Sequence, residues 1–219
     1  MPVLISDEDY KEYRILQNNS IFQQKLDSVR GMKNLKYDID LPIRRLVAMF
    51  ALLGCEPIWS CCGFDYDGQP MHKSHEYGAV YIVLNKNEQT KRVIENLVML
   101  NWVRPKDPDN GTSRWVCWQN DFWLYLQSDF DYEWGKTQYP WSLKSCLHYC
   151  EIGVIQINNL ERVLENNFRN DFTDTVILHD SNKRQKERVS NWQYPLLEDW
   201  IITKNEIFTL SEQENKLQL

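Results

Sequence analysis

Pro57-Ile58-Trp59-Ser60-Cys61-Cys62 and Gly78-Ala79-Val80-Tyr81-Ile82-Val83-Leu84 are the two runs whose reading decides the fold. Each sets β-branched and aromatic residues side by side, the pattern of a short strand buried in a sheet. A polar connection from Gly63 to Tyr77 separates them. Ahead of the first run, Ile43, Leu46, Val47, Met49, Phe50 and Leu53 recur at intervals of three and four. Pro42 suits the first turn of that helix and Gly54 the position just past its end. Behind the second run, Asn85 suits an N-cap with Glu88 three residues on, and Val93, Ile94, Leu97, Val98 and Leu100 mark a helix ending near Trp102. Helix, strand, long loop, strand and helix in this order predict a mixed α/β (α+β) fold, a single sheet with flanking helices.

Further along, Arg114 to Gln119 and Phe122 to Gln127 flank Asn120-Asp121, a pair that suits a tight hairpin turn. A turn centred on these two residues sets Trp118 opposite Trp123 and Cys117 opposite Leu124, with both faces of the ribbon largely apolar. Ser142 to Tyr149 reads as a short helix, Val154 to Ile157 as a strand, Leu160 to Phe168 as a helix and Val176-Ile177-Leu178 as a last strand. Towards the N-terminus, Asp7 to Gln24 has a loosely helical spacing of Tyr10, Tyr13, Leu16 and Ile21. The expected organisation is an N-terminal helical segment over 1–40, a mixed α/β domain over 41–200 and a C-terminal tail over 201–219.

The chain has 219 residues, 42% of them apolar, enough for a real buried core and against disorder as the main state. Its longest strongly apolar run, Leu46 to Leu53, is far shorter than the roughly 20 residues of a membrane-spanning helix. The start, Met1 to Asp9, does not read as a secretory signal, so a cytoplasmic protein without a membrane partner is expected. Six cysteines then read as thiols, because a chain of this size needs no disulfide staples and Cys61 and Cys62 are adjacent. A net charge of −6 and a pI near 5.3 speak against a broad nucleic-acid footprint, which needs a basic stripe. A local basic patch from Arg44, Arg45, Lys73 and the run Lys183 to Arg188 is still open. Nine tryptophans, eleven tyrosines and eight phenylalanines fit either a dense core or a surface on which bases stack.

Chemistry concentrates in the loop after the first strand. Residues 60–78 hold Ser60, Cys61, Cys62, Gly63, Asp65, His72, Lys73 and His75 between elements that read as buried. Loops longer than about 12 residues without secondary structure of their own are uncommon and often functional. One chemistry is a zinc site from Cys61, Cys62, His72 and His75, since thiolate and imidazole suit that metal. Adjacent cysteines on a strand point to opposite sides, so only one of the two would ordinarily reach the ion. The other chemistry makes a thiolate the reactive group, with His72 or His75 as acid/base partner and Asp65 as the orienting carboxylate. Against both stands the reading of Cys61 and Cys62 as small core residues. Cys146-Leu147-His148-Tyr149-Cys150 is a second grouping, read as helical and chiefly packing, and His179 follows the last strand where α/β sheets often place ligand-binding groups.

Ser60-Cys61-Cys62-Gly63 after an Ile/Leu/Val-rich helix and a short strand resembles the start of the TYW-three-type tRNA wybutosine-synthesis methyltransferase family, whose members carry Ser-Ser-Cys-Ser-Gly-Arg in the same order of elements. Ser60, Cys61 and Gly63 match; Trp59, Cys62 and Phe64 depart, and Phe64 removes the arginine suited to an anion. The resemblance covers roughly 40 residues and implies an intracellular enzyme using S-adenosylmethionine on a modified tRNA base.

Two expectations follow. In the first, the loop is the active site of a possible RNA-modifying transferase acting on a nucleotide-like or small polar substrate, with Cys61, Asp65, His72 and His75 catalytic and Ser60, Gly63, Lys73 and His179 binding substrate. In the second, the same loop, held by zinc, presents aromatic surface to a protein partner. Zinc and S-adenosylmethionine are the corresponding cofactors.

Overall fold

The computed structural model describes residues 20–29, 39–62, 80–105, 115–128, 143–178 and 200–208. Helix α1 (Ile21–Val29) starts at Ser20, whose hydroxyl accepts the Gln23 N–H at 3.1 Å, and it buries Phe22, Lys25, Leu26 and Val29 on one stripe. A 3-10 turn (Leu41–Ile43) leads into α2 (Arg44–Leu52), which buries every residue after Arg44. A helix apolar nearly all round belongs in the middle of a core. Its end is fixed by Gly54 at φ +79°, where Gly54 N–H donates to Ala51 O and Cys55 N–H to Phe50 O. This is the left-handed terminus for which glycine is favoured.

Strands β1 (Pro57–Cys61) and β2 (Tyr81–Asn85) pair antiparallel and are followed by α3 (Glu88–Met99). The cap of α3 is Asn87, whose side chain accepts the Thr90 N–H at 2.7 Å. Asn85, expected to cap, instead ends β2 and donates to Glu56 Oε2 at 2.7 Å. The two asparagines flank a single lysine, Lys86. Then come β3 (Val103–Pro105), β4 (Trp115–Gln119) and β5 (Trp123–Ser128). The sheet order is β1-β2-β5-β4-β3, antiparallel except for the β3–β4 pair.

The β4–β5 hairpin turns two residues later in pairing sum than expected: Trp118 faces Tyr125 and Cys117 faces Leu126. Asn120 is the cause, since its Oδ1 accepts the N–H groups of both Phe122 and Trp123 at 2.9 and 2.7 Å while its own N–H donates to Trp123 O. Asp121-Phe122 therefore forms the tip. A shift by two leaves every side chain on its expected face.

Helix α4 (Leu143–Phe168) runs unbroken for 26 residues, about 39 Å at 1.5 Å per residue. The strand expected at Val154 to Ile157 lies inside it. Val154, Ile157, Leu160, Glu161, Leu164 and Phe168 are buried at helical intervals, so packing of one face outweighs the β-branched run. A second, two-stranded sheet pairs β6 (Thr175–Leu178) with β7 (Trp200–Thr203), and a helical turn follows at 204–208. The mixed α/β fold with helices flanking a sheet is thus present, with this small sheet added. Ile202 and Ile207 lie in the same core as Phe22, Leu46, Leu84 and Leu126.

Inside the helical layer, Glu161 Oε2 accepts Lys25 Nζ at 2.6 Å and Arg45 Nη1 at 2.8 Å, all three side chains being 2% exposed or less. Arg45 also reaches Glu165 Oε2 at 3.4 Å and the Ile207 carbonyl at 3.1 Å. Among the described residues, two cations and two carboxylates meet here and tie α1, α2, α4 and the 204–208 turn.

Candidate functional site at the end of β1

Alternation along β1 sorts the site. Trp59 pairs with Val83 and Cys61 with Tyr81 on one face, whereas Ser60 pairs with Ile82, whose side chain joins the core under the helices. Cys62 also joins that core, and Cys61 does not. The adjacent thiols, both buried, therefore belong to opposite sides of the sheet, as strand geometry requires. A zinc ion held by both would need this alternation undone. Among the described residues no group of three or more His, Cys, Asp or Glu side chains is placed to hold a metal ion.

Two residues outside the sequence-derived set stand beside Cys61. Asp40, half-buried ahead of the 3-10 turn, accepts the Cys62 N–H on Oδ2 at 2.8 Å. Tyr81, directly across from Cys61, has its phenol pKa raised, first by burial and then by the negative charge that Cys61 and Asp40 bring near it. The phenol thus stays protonated well into the alkaline range and can donate a hydrogen bond. Sequence offered little toward either residue. Asp40 lies 22 residues from its partner along the chain, and Tyr81 reads as one more aromatic in a strand.

The same face carries a strip of rings. Trp59 meets Trp123 edge to face at 4.9 Å, reaching across β2 over Val83. Trp123 meets Tyr125 at 6.4 Å, and Tyr125 stacks parallel on Trp118 at 5.2 Å. All four rings are half-buried, and Val83 beneath them is buried. These spacings are those of favourable edge-to-face and offset aromatic pairs.

Of the residues expected to bind or react, Ser60, Cys61 and Cys62 are placed as above, while Gly63, Asp65, His72, Lys73, His75 and His179 lie outside the described residues. The backbone of Cys146, His148 and Cys150 is helical, as expected for that grouping. Cys55 is a core residue whose thiol burial pushes up to about 12. Cys117 is half-buried against the same core, and burial raises its pKa as well. It lines a separate groove of about 670 Å³ between α3 and the β4–β5 end of the sheet, with Ile94, Val98, Met99 and Leu124. Arg45 cannot serve a surface basic patch, because it is spent in the buried ion cluster. Arg44 turns its guanidinium onto the Ile39 carbonyl at 2.9 and 3.2 Å.

No family model, no curated protein and no solved structure matches the chain.

Proposed function

We propose that the chain is an enzyme-like domain that binds a planar, nucleotide-like or small polar substrate against the aromatic face of its sheet, with Cys61 as the reactive group at the end of that face. The observation that carries this reading is that Cys61, Tyr81 and the four-ring strip share the one side of the sheet that the helical core does not occupy. Stacking on such rings is worth about 1–3 kcal/mol per base by alanine substitution. The Tyr81 phenol supplies a donor and the Asp40 carboxylate an acceptor within reach of the thiol's surroundings. The net charge of −6 favours a ligand of nucleotide size over a long phosphate backbone.

The resemblance of Ser60-Cys61-x-Gly63 to the wybutosine-synthesis methyltransferases supports group transfer from S-adenosylmethionine to an RNA base as the reaction class. On that reading His72 and His75 are its acid/base groups and Asp65 their orienting carboxylate.

Titration of the full chain with nucleosides and with S-adenosylmethionine, followed by tryptophan fluorescence and calorimetry, tests the reading. Saturable quenching is expected. Trp123→Ala should weaken binding at least about tenfold, equivalent to about 1.4 kcal/mol, while Cys61→Ser keeps binding and loses turnover. Absence of quenching, or binding indifferent to Trp123→Ala, overturns it.

A second reading uses the same strip. Half-buried Trp59, Trp118 and Trp123 suit anchors for a protein partner, with zinc held through Cys61, His72 and His75. Stoichiometric zinc that Cys61→Ser removes, without nucleoside binding, would favour this interaction module.

A further inference from the structure

An aspartate just ahead of a helical turn ordinarily folds its carboxylate back onto the N–H groups of that turn. Asp40 occupies this position before Leu41–Ile43, at φ −53° and ψ 135°, and makes no such bond. Its backbone carbonyl closes the turn by accepting the Ile43 N–H at 3.2 Å, and Pro42 has no N–H to satisfy. The carboxylate is used elsewhere, on the Cys62 amide 22 residues along, at 2.8 Å. That amide sits where the sheet stops dictating side-chain direction. Cys61 opposite Tyr81 is the last pair of the β1–β2 ladder, and Cys62 is the first residue beyond it. The returning strand is braced comparably, with the Val80 N–H on Ser128 Oγ at 3.0 Å and the Ser128 N–H on Val80 O at 2.8 Å.

We infer that Asp40 is a positioning residue for the Cys61 site: by holding the amide of Cys62, its carboxylate fixes the peptide that joins the two cysteines. The ladder keeps the Cys61 thiol on the aromatic face, and the Asp40 bond, one residue beyond it, keeps the Cys62 thiol in the core. The functional weight of this rests on the proposed role of Cys61, but the geometry does not. Cys61 keeps its face through its pairing with Tyr81, so loss of the Asp40 bond frees the direction of Cys62 alone.

Site-resolved alkylation of the full chain by iodoacetamide, read by fragmentation mass spectrometry, measures both thiols at once. Cys55 lies in the same core at 2% exposure and reports any global opening. In Asp40→Ala, labelling of Cys62 relative to Cys55 should rise about fivefold, the worth of one ordinary hydrogen bond. Asp40→Asn keeps an acceptor oxygen and should restore the wild-type ratio. The inference is overturned if Cys62 and Cys55 rise together, if Asp40→Asn behaves as Asp40→Ala does, or if Asp40→Ala leaves Cys62 unchanged. Failure of nucleoside binding would leave the labelling pattern intact, so the two proposals fall separately.

Discussion

The two faces of the five-stranded sheet keep water out by different means. Towards the helices, Ile82, Leu84, Leu124 and Leu126 point into a core shared with α1, α2, α3 and α4, and each is 5% exposed or less. Towards the other side, Trp59, Trp118, Trp123 and Tyr125 cover Val83 with one another's edges and faces and stay half-buried. An aliphatic face must be sealed by a second layer, since it has no polar atoms and gains only by removal from water. An aromatic face can seal part of itself and still present ring surface and polar tips to a ligand. The helical side is sealed by a second layer and the aromatic side by its own rings.

The largest test of that division lies in the helical layer itself. Glu161→Gln leaves Lys25 and Arg45 facing a neutral amide in the core, and removal of one partner from a buried ion pair costs about 3–5 kcal/mol. The midpoint of urea unfolding should fall accordingly. A loss below about 1 kcal/mol, the level of an exposed pair, would remove the cluster as a tie between the helices.

Next in size is a paired substitution across the sheet. Leu126→Ala on the helical side should cost about 2–5 kcal/mol through lost burial and a cavity. Trp123→Leu on the aromatic side gives up edge contacts with Trp59 and Tyr125, each worth about 0.5–1.5 kcal/mol. Equal losses in denaturant titrations would mean that the two faces are equally sealed.

The smallest effect is a matter of pH. The Cys55 thiol is held protonated to about 12 against an ordinary 9.0. Below pH 9 it is protonated in both folded and unfolded chains, and its burial is fully favourable. As pH rises past 9 only the unfolded chain gives up this proton, so stability declines towards 12. Between pH 8 and pH 10.5 the urea midpoint should fall more steeply for the wild type than for Cys55→Ala. Parallel slopes would place Cys55 in contact with water.

How much was legible beforehand follows from range. The helix from Leu41 to Leu53 and its glycine end, and the strands at Pro57 and Tyr81, rest on local periodicity, and local periodicity was enough. The hairpin register turned on a side chain, Asn120, taking two amides of its own turn, which a two-residue turn signal does not reveal. The helical course of Val154 to Ile157 was hidden because three β-branched residues favour a strand when read alone, and only the buried stripe from Val154 to Phe168 outweighs them. Asp40 was hidden at the site because its partner is distant along the chain, and Arg45 looked like surface charge because its carboxylates lie on another helix.

Sequence by itself determined the class of the fold and the ends of its central helix, because each depends on residues within a turn or a strand of one another. Tertiary structure alone decided which rings form the strip beside Cys61, that Asp40 and Tyr81 accompany it, and that Lys25, Arg45, Glu161 and Glu165 meet. Those are contacts between segments whose meeting is set by the packing of the whole core, and no spacing along the chain encodes them.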